Sequence, residues 1–119
     1  THQTQAVPER RARLDAIGTP LSNLVGQWIN FFGDRYREVY GFPGPPLHDP
    51  CAVAEVIQPG IVRTRRLAVE IDLSHGPSYG RTLCDLRNVT GKPPTTQVGE
   101  SIDVDAFWDL LVETIARYK

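Results

Sequence analysis

At 119 residues and 13.3 kDa, the chain can build one modest hydrophobic core, and nothing in its length calls for two independent domains. Its 40% hydrophobic and 23% charged residues are those of an ordinary globular protein, neither disordered nor membrane-embedded. Thirteen Lys and Arg against fourteen Asp and Glu leave a net charge of -1, which excludes a global field that would draw in nucleic acid or an anionic membrane. No apolar run approaches the roughly 18 to 20 residues of a membrane span, and Thr1–Gln5 is too polar for a signal peptide. Cys51 and Cys84 read as free thiols on a helix and a strand, which points to the reducing cytoplasm. A start at Thr1 and the lack of any Met point to a cut piece of a longer chain.

Pro8 to Ile17, rich in Glu, Arg and Ala and followed by Gly18, predicts a short helix with a basic surface. Thr19 and Pro20 open a second, long helix. Leu21, Leu24, Val25, Trp28, Ile29, Phe32, Tyr36 and Val39 recur along it at helical spacing as far as Gly41. The aromatic stripe predicts burial of Trp28 and Phe32 in a core, with Tyr36 open to either packing or a site role. Phe42 to Leu47 holds three prolines and a glycine, a stiff extended lead into His48. Asp49 as N-cap and Pro50 as first helical residue then start a short helix that Pro59 ends.

Leu67, Val69, Ile71 and Leu73 alternate with polar or small residues across Arg66–Leu73, the period of a half-buried strand. After turn residues Ser74–Gly80, a second strand over Arg81–Arg87 completes an antiparallel hairpin. Asn88 to Gln97 reads as a polar loop. Asp103 caps a last helix whose apolar face runs through Val104, Phe107, Trp108, Leu111, Val112 and Ile115.

A histidine and a carboxylate side by side at a helix start, behind a rigid proline loop, are oriented by backbone rather than by rotamer entropy. From the pair alone a structural explanation comes first: Asp before Pro starts helices, and His48 could be a packed loop histidine. Arg10, Arg11 and Arg13, with Arg63, Arg65 and Arg66, form a candidate phosphate patch or simply a solvated surface. Ser22 and Ser78 lack a nucleophile motif, and Gly41 and Gly44 do not follow a strand as a phosphate loop requires.

The whole stretch GPPLHDPCAVAEVIQP, Gly44 to Pro59, followed by Arg65, Arg66 and LAVEIDL, resembles the C-terminal signature of the inosine-uridine preferring nucleoside hydrolases. Gly80, Arg81, Thr82, Asp85 and the Val104, Asp105, Phe107, Trp108 pattern continue the likeness over nearly the whole chain. The resemblance implies an α/β fold, of which this chain is the C-terminal part: about four helices plus the antiparallel hairpin, with residues 1–119 forming a single, incomplete segment of the hydrolase domain. It implies hydrolysis of the N-glycosidic bond of ribonucleosides to ribose and free base. In that reading Asp49 is a calcium ligand that touches the ribose, His48 is the catalytic histidine beside the leaving base, and Tyr36, twelve residues earlier, lies near the base.

Calcium takes about six to eight oxygens, and the family's N-terminal aspartate cluster has no counterpart before His48. The expected partners are therefore the N-terminal part of the enzyme or another subunit, a ribonucleoside, and further copies in a homo-oligomer covering the Trp28 and Trp108 faces, with no nucleic acid or membrane. Alone, the chain is expected to be inactive. The alternative is a truncated relative that binds nucleoside or sugar weakly, or only oligomerises.

Overall fold

The computed structural model describes residues 1–118, which form two compact units: Thr1–Val62 with the segment from Ser101 onward, and Arg63–Glu100. The first unit holds four helices: α1 (Pro8–Asp15), α2 (Pro20–Tyr40), α3 (Asp49–Ile57) and α4 (Val104–Ala116). Four strands follow the chain between α3 and α4: β1 (Val62–Leu67), β2 (Val69–Ile71), β3 (Thr82–Cys84) and β4 (Thr96–Ile102).

The helices begin where their local chemistry dictates. Thr19 accepts from the Ser22 N–H while the Ser22 hydroxyl accepts from the Thr19 N–H, a reciprocal capping box with Pro20 at the first position. The helix stops at Gly41, whose φ of 68° is the left-handed cap that a residue without Cβ adopts freely. Asp103 caps α4 by accepting from the Ala106 N–H at 3.0 Å.

The core of the first unit gathers Leu14, Ile29, Cys51, Ala54, Ile61, Phe107, Trp108 and Ile115. Two aromatic expectations are corrected here. Trp28 and Phe32 are 58% and 59% exposed rather than buried, while Trp108, expected to need an outside partner, is fully buried. The reason lies in α2, whose buried line is Ser22, Gly26, Ile29 and Gly33. Small residues let neighbouring side chains come close: the Arg11 guanidinium lies on Gly26, and Pro45 packs against Gly33, where an added Cβ would stand 3.3 Å from the proline ring. The bulky stripe lies on the adjacent face, outside the core.

In the second unit, β2 and β3 pair antiparallel with Val69 opposite Cys84 and Ile71 opposite Thr82, so the expected hairpin is present. The expected single strand Arg66–Leu73 is instead two. β1 pairs with β4, and β2 turns to β3 after a break at Ala68. The Ile61 carbonyl accepts from Asp103 N and the Leu67 carbonyl from Thr95 N, so β1 and β4 run antiparallel. β4 begins at Thr96 inside the expected polar loop, where Gln97 and Glu100 serve the ladder by bonding Thr64, Arg63 and Arg65. Asp72, accepting from Ser74 and Ser78, and Asp85, accepting from Thr90 and Val89, close the two turns of this unit. These bonds hold both carboxyls down at about 2.

Candidate active site: His48 between two hydroxyls

The chain around His48 is fixed by a short extended contact with the amino-terminal segment. Ala6 N donates to the Pro45 carbonyl at 2.9 Å, Leu47 N donates to the Thr4 carbonyl at 3.4 Å, and Gln5 bridges Pro46. Gly44 permits this approach. A Cβ there would stand 2.3 Å from the Ala6 oxygen, inside any allowed contact. The prolines remove donors and fix φ, so the loop cannot relax into helix.

His48 emerges from this loop half-buried, with both ring nitrogens engaged. Nε2 lies 3.0 Å from the Tyr36 hydroxyl on α2, and Nδ1 lies 2.6 Å from the Thr1 hydroxyl. Each hydroxyl can donate or accept, so both tautomers of the neutral ring, and the imidazolium, are satisfied without moving a heavy atom. Tyr36 and His48, both singled out in the sequence, lie in hydrogen-bond contact. Thr1, His2, Tyr40 and Phe42 were missed: Phe42 stacks on Tyr36 with centroids 6.2 Å apart, Tyr40 packs against both, and the His2 ring edge meets His48 at 5.5 Å. Tyr40 and Phe42 could have been found as aromatics on either side of the Gly41 helix end, whereas Thr1 and His2 are brought in only by the ladder to residues 45–47.

Asp49 is exposed and stands at the first position of α3, with His48 at the cap; this corrects the expected Asp49 cap. His48 already has helical φ and ψ, and its carbonyl accepts from Cys51 N, so the turn starts one residue early. No side-chain cap closes that turn, and the Asp49 carboxylate has no hydrogen bond or ion pair with any described residue. A hard, partnerless carboxylate suits calcium, although no group of three or more His, Cys, Asp or Glu able to hold a metal occurs among the described residues.

His48 and Asp49 open into a groove of about 410 Å³ lined by Val25, Trp28, Ile29, Phe32, the Pro45–Pro50 stretch and Leu111. This explains the exposure of Trp28 and Phe32: they form one wall. Of the six candidate arginines, Arg10 and Arg66 bond backbone carbonyls of Gln5 and Pro94, and the other four meet carboxylates. Arg63 and Arg65 both bond Glu100, Arg11 bonds Asp15 and Arg13 bonds Asp109.

The sequence model of the inosine-uridine preferring nucleoside hydrolases matches residues 1–109, which include His48, Asp49 and every side chain in contact with the His48 ring. The chain belongs to this family. The nucleoside hydrolase segment is 40% identical over 118 residues to the pyrimidine-specific ribonucleoside hydrolase RihB of Escherichia coli O17:K52:H18, covering 99% of this chain and 38% of that protein. It superposes on the purine-preferring ribonucleoside hydrolase from Gardnerella vaginalis with a TM-score of 0.80 at 26% identity, covering 98% of this chain and 37% of that one. The plant nucleoside hydrolase PpNRh1 shares the fold at 21% identity and a TM-score of 0.80, with 97% and 38% covered. The chain thus spans under two fifths of these relatives, and its four helices and small antiparallel sheets are part of their larger α/β domain. No helix among the described residues is long and apolar enough to cross a membrane.

Proposed function

We propose that this chain supplies the base-side wall and one metal ligand of a calcium-dependent N-ribohydrolase that cleaves ribonucleosides to ribose and free base. One observation carries the reading: an imidazole held at both nitrogens by hydroxyls stands beside an unpartnered carboxylate at the mouth of a groove. Loss of the base leaves oxocarbenium-like charge on the sugar and negative charge on the base. His48, as imidazolium, gives the proton of one ring nitrogen to the departing base and returns to neutral imidazole, the hydroxyl on that nitrogen yielding its place to the base, while the hydroxyl on the other nitrogen keeps the ring in position. Trp28 and Phe32 offer flat apolar faces along one wall of the groove.

Asp49 would hold calcium through its exposed carboxylate. Bound there, the ion would orient the sugar hydroxyls and lower the pKa of the attacking water. Asp49 gives one or two of the roughly six to eight oxygens that calcium takes. The others come from the remaining three fifths of the hydrolase domain, on the same or another polypeptide, with further copies in an oligomer.

Ribose release from inosine and uridine, measured with and without calcium on the complete polypeptide, tests the reading. His48→Ala slows release while calcium affinity stays, and Asp49→Ala damages both. Equal loss of calcium in the two variants would overturn this division of roles. The single carboxylate supports a second reading for residues 1–119 alone: weak nucleoside binding without hydrolysis, detected as calcium-independent binding by calorimetry.

A further inference from the structure

We infer that Thr4 is a positioning residue for His48, its one hydroxyl tying together the two backbone segments that set the imidazole. This rests on the catalytic reading of His48 given above. Thr4 is fully buried, an uncommon place for a hydroxyl unless it is hydrogen-bonded. Its Oγ1 lies 2.7 Å from the Thr1 carbonyl and 3.0 Å from the Leu47 carbonyl, so a single proton is shared between them. Thr1 carries the hydroxyl that meets Nδ1, and Leu47 is the residue before His48.

The backbone of Thr4 repeats the pattern. Its N–H donates to the Thr1 carbonyl at 3.0 Å, and its carbonyl accepts from Leu47 N. Cys51 reinforces one side only, donating from Sγ to the Leu47 carbonyl at 3.0 Å. Leu47 therefore keeps a side-chain donor when the Thr4 hydroxyl is removed. The Thr1 turn is left with the Thr4 N–H bond alone. The approach of the Thr1 hydroxyl to Nδ1 is then held by one bond in place of two, and the imidazole gains freedom to tilt away from Tyr36. Because proton donation to the leaving base is needed only in the transition state, such tilting lowers kcat and leaves KM alone.

The experiment compares Thr4→Val, which keeps the shape and deletes the hydroxyl, with Thr4→Ser, which restores it, in the complete polypeptide. The readouts are kcat and KM for uridine and inosine, and the His48 ring resonances with ¹³C-labelled histidine at one fixed pH. The expected result is a kcat about threefold to thirtyfold lower in Thr4→Val with KM within about twofold, a shifted His48 signal, and return of both in Thr4→Ser. An unshifted His48 signal with unchanged kcat overturns the inference. So does loss of kcat that Thr4→Ser fails to recover, because bulk packing and not the hydroxyl then matters. A shifted signal in a protein whose His48→Ala variant is fully active supports the positioning role and refutes the catalytic one.

Discussion

The Tyr36 hydroxyl lies 3.0 Å from His48 Nε2, joining the end of α2 to the start of α3 through one hydrogen bond. Two side chains twelve positions apart thereby act on the same proton. His48→Ala should lower kcat for base release by roughly a hundredfold or more, the range of a lost general acid. Tyr36→Phe keeps the stacking on Phe42 and should cost about tenfold or less. Steady-state kinetics on both variants checks this, and a larger loss for Tyr36→Phe than for His48→Ala would reverse the assigned roles.

Asp49→Asn separates structure from metal binding. No side-chain cap closes the first turn of α3, so only the interaction with the helix dipole is lost, about 0.3–1 kcal/mol. The thermal midpoint without calcium should therefore move by a few degrees at most, while calcium affinity measured by calorimetry falls at least tenfold. A large drop in midpoint with calcium affinity intact would make Asp49 a structural residue.

Gly44→Ala forces a methyl group to within 2.3 Å of the Ala6 carbonyl. The ladder between residues 4–6 and 45–47 has to open, at a cost of about 1–3 kcal/mol by the measure of overpacked cores. Denaturant unfolding should show that loss. The amides of Ala6 and Leu47, both bonded across the ladder, should exchange with solvent faster.

Acid should loosen the turns of the second unit. Asp72 and Asp85 sit at about 2 against an ordinary 3.8, because hydroxyls and backbone N–H groups bond their charged forms. A carboxyl lowered by folding stabilises fully above its unfolded value, and that contribution fades as pH falls through the folded one. The window is therefore about pH 4 to 2. Over it the Val89 and Thr90 amides should lose protection in hydrogen exchange, and Asp85→Asn should remove the pH dependence there.

The two tryptophans offer an optical check on the fold. Trp28 lines an open groove and Trp108 is sealed, so acrylamide should quench the emission of Trp108→Phe, which keeps Trp28, far more than that of Trp28→Phe.

Element type was legible wherever local chemistry decides it: the Thr19 and Asp103 caps, the Gly41 stop, the refusal of helix from Phe42 to Leu47, and the β2–β3 hairpin all follow from neighbours in sequence. What failed was the choice of the buried face of α2. Hydropathy weights size, so it selects Trp28 and Phe32, whereas the close seating of the Arg11 guanidinium on Gly26 and of the Pro45 ring on Gly33 selects the small-residue face. Strand β4 was hidden for a related reason, since its Gln97 and Glu100 are polar and serve the exposed ladder to β1. At the candidate site, His48 and Asp49 stand out through the motif and Tyr36 by its place twelve residues earlier. Thr1 and Thr4 do not, because only a contact spanning more than forty residues brings them to the imidazole.

That contact changes what the first six residues are. They run as a third rail beside the proline loop, and the imidazole rides on it. A change that leaves every helix untouched but lets this rail slip by one residue would exchange buried Thr4 for Gln3 or Gln5, strip Nδ1 of its hydroxyl and leave a folded protein whose histidine points without aim. A stretch with no helix, strand or catalytic group of its own thus sets the aim of the side chain it supports.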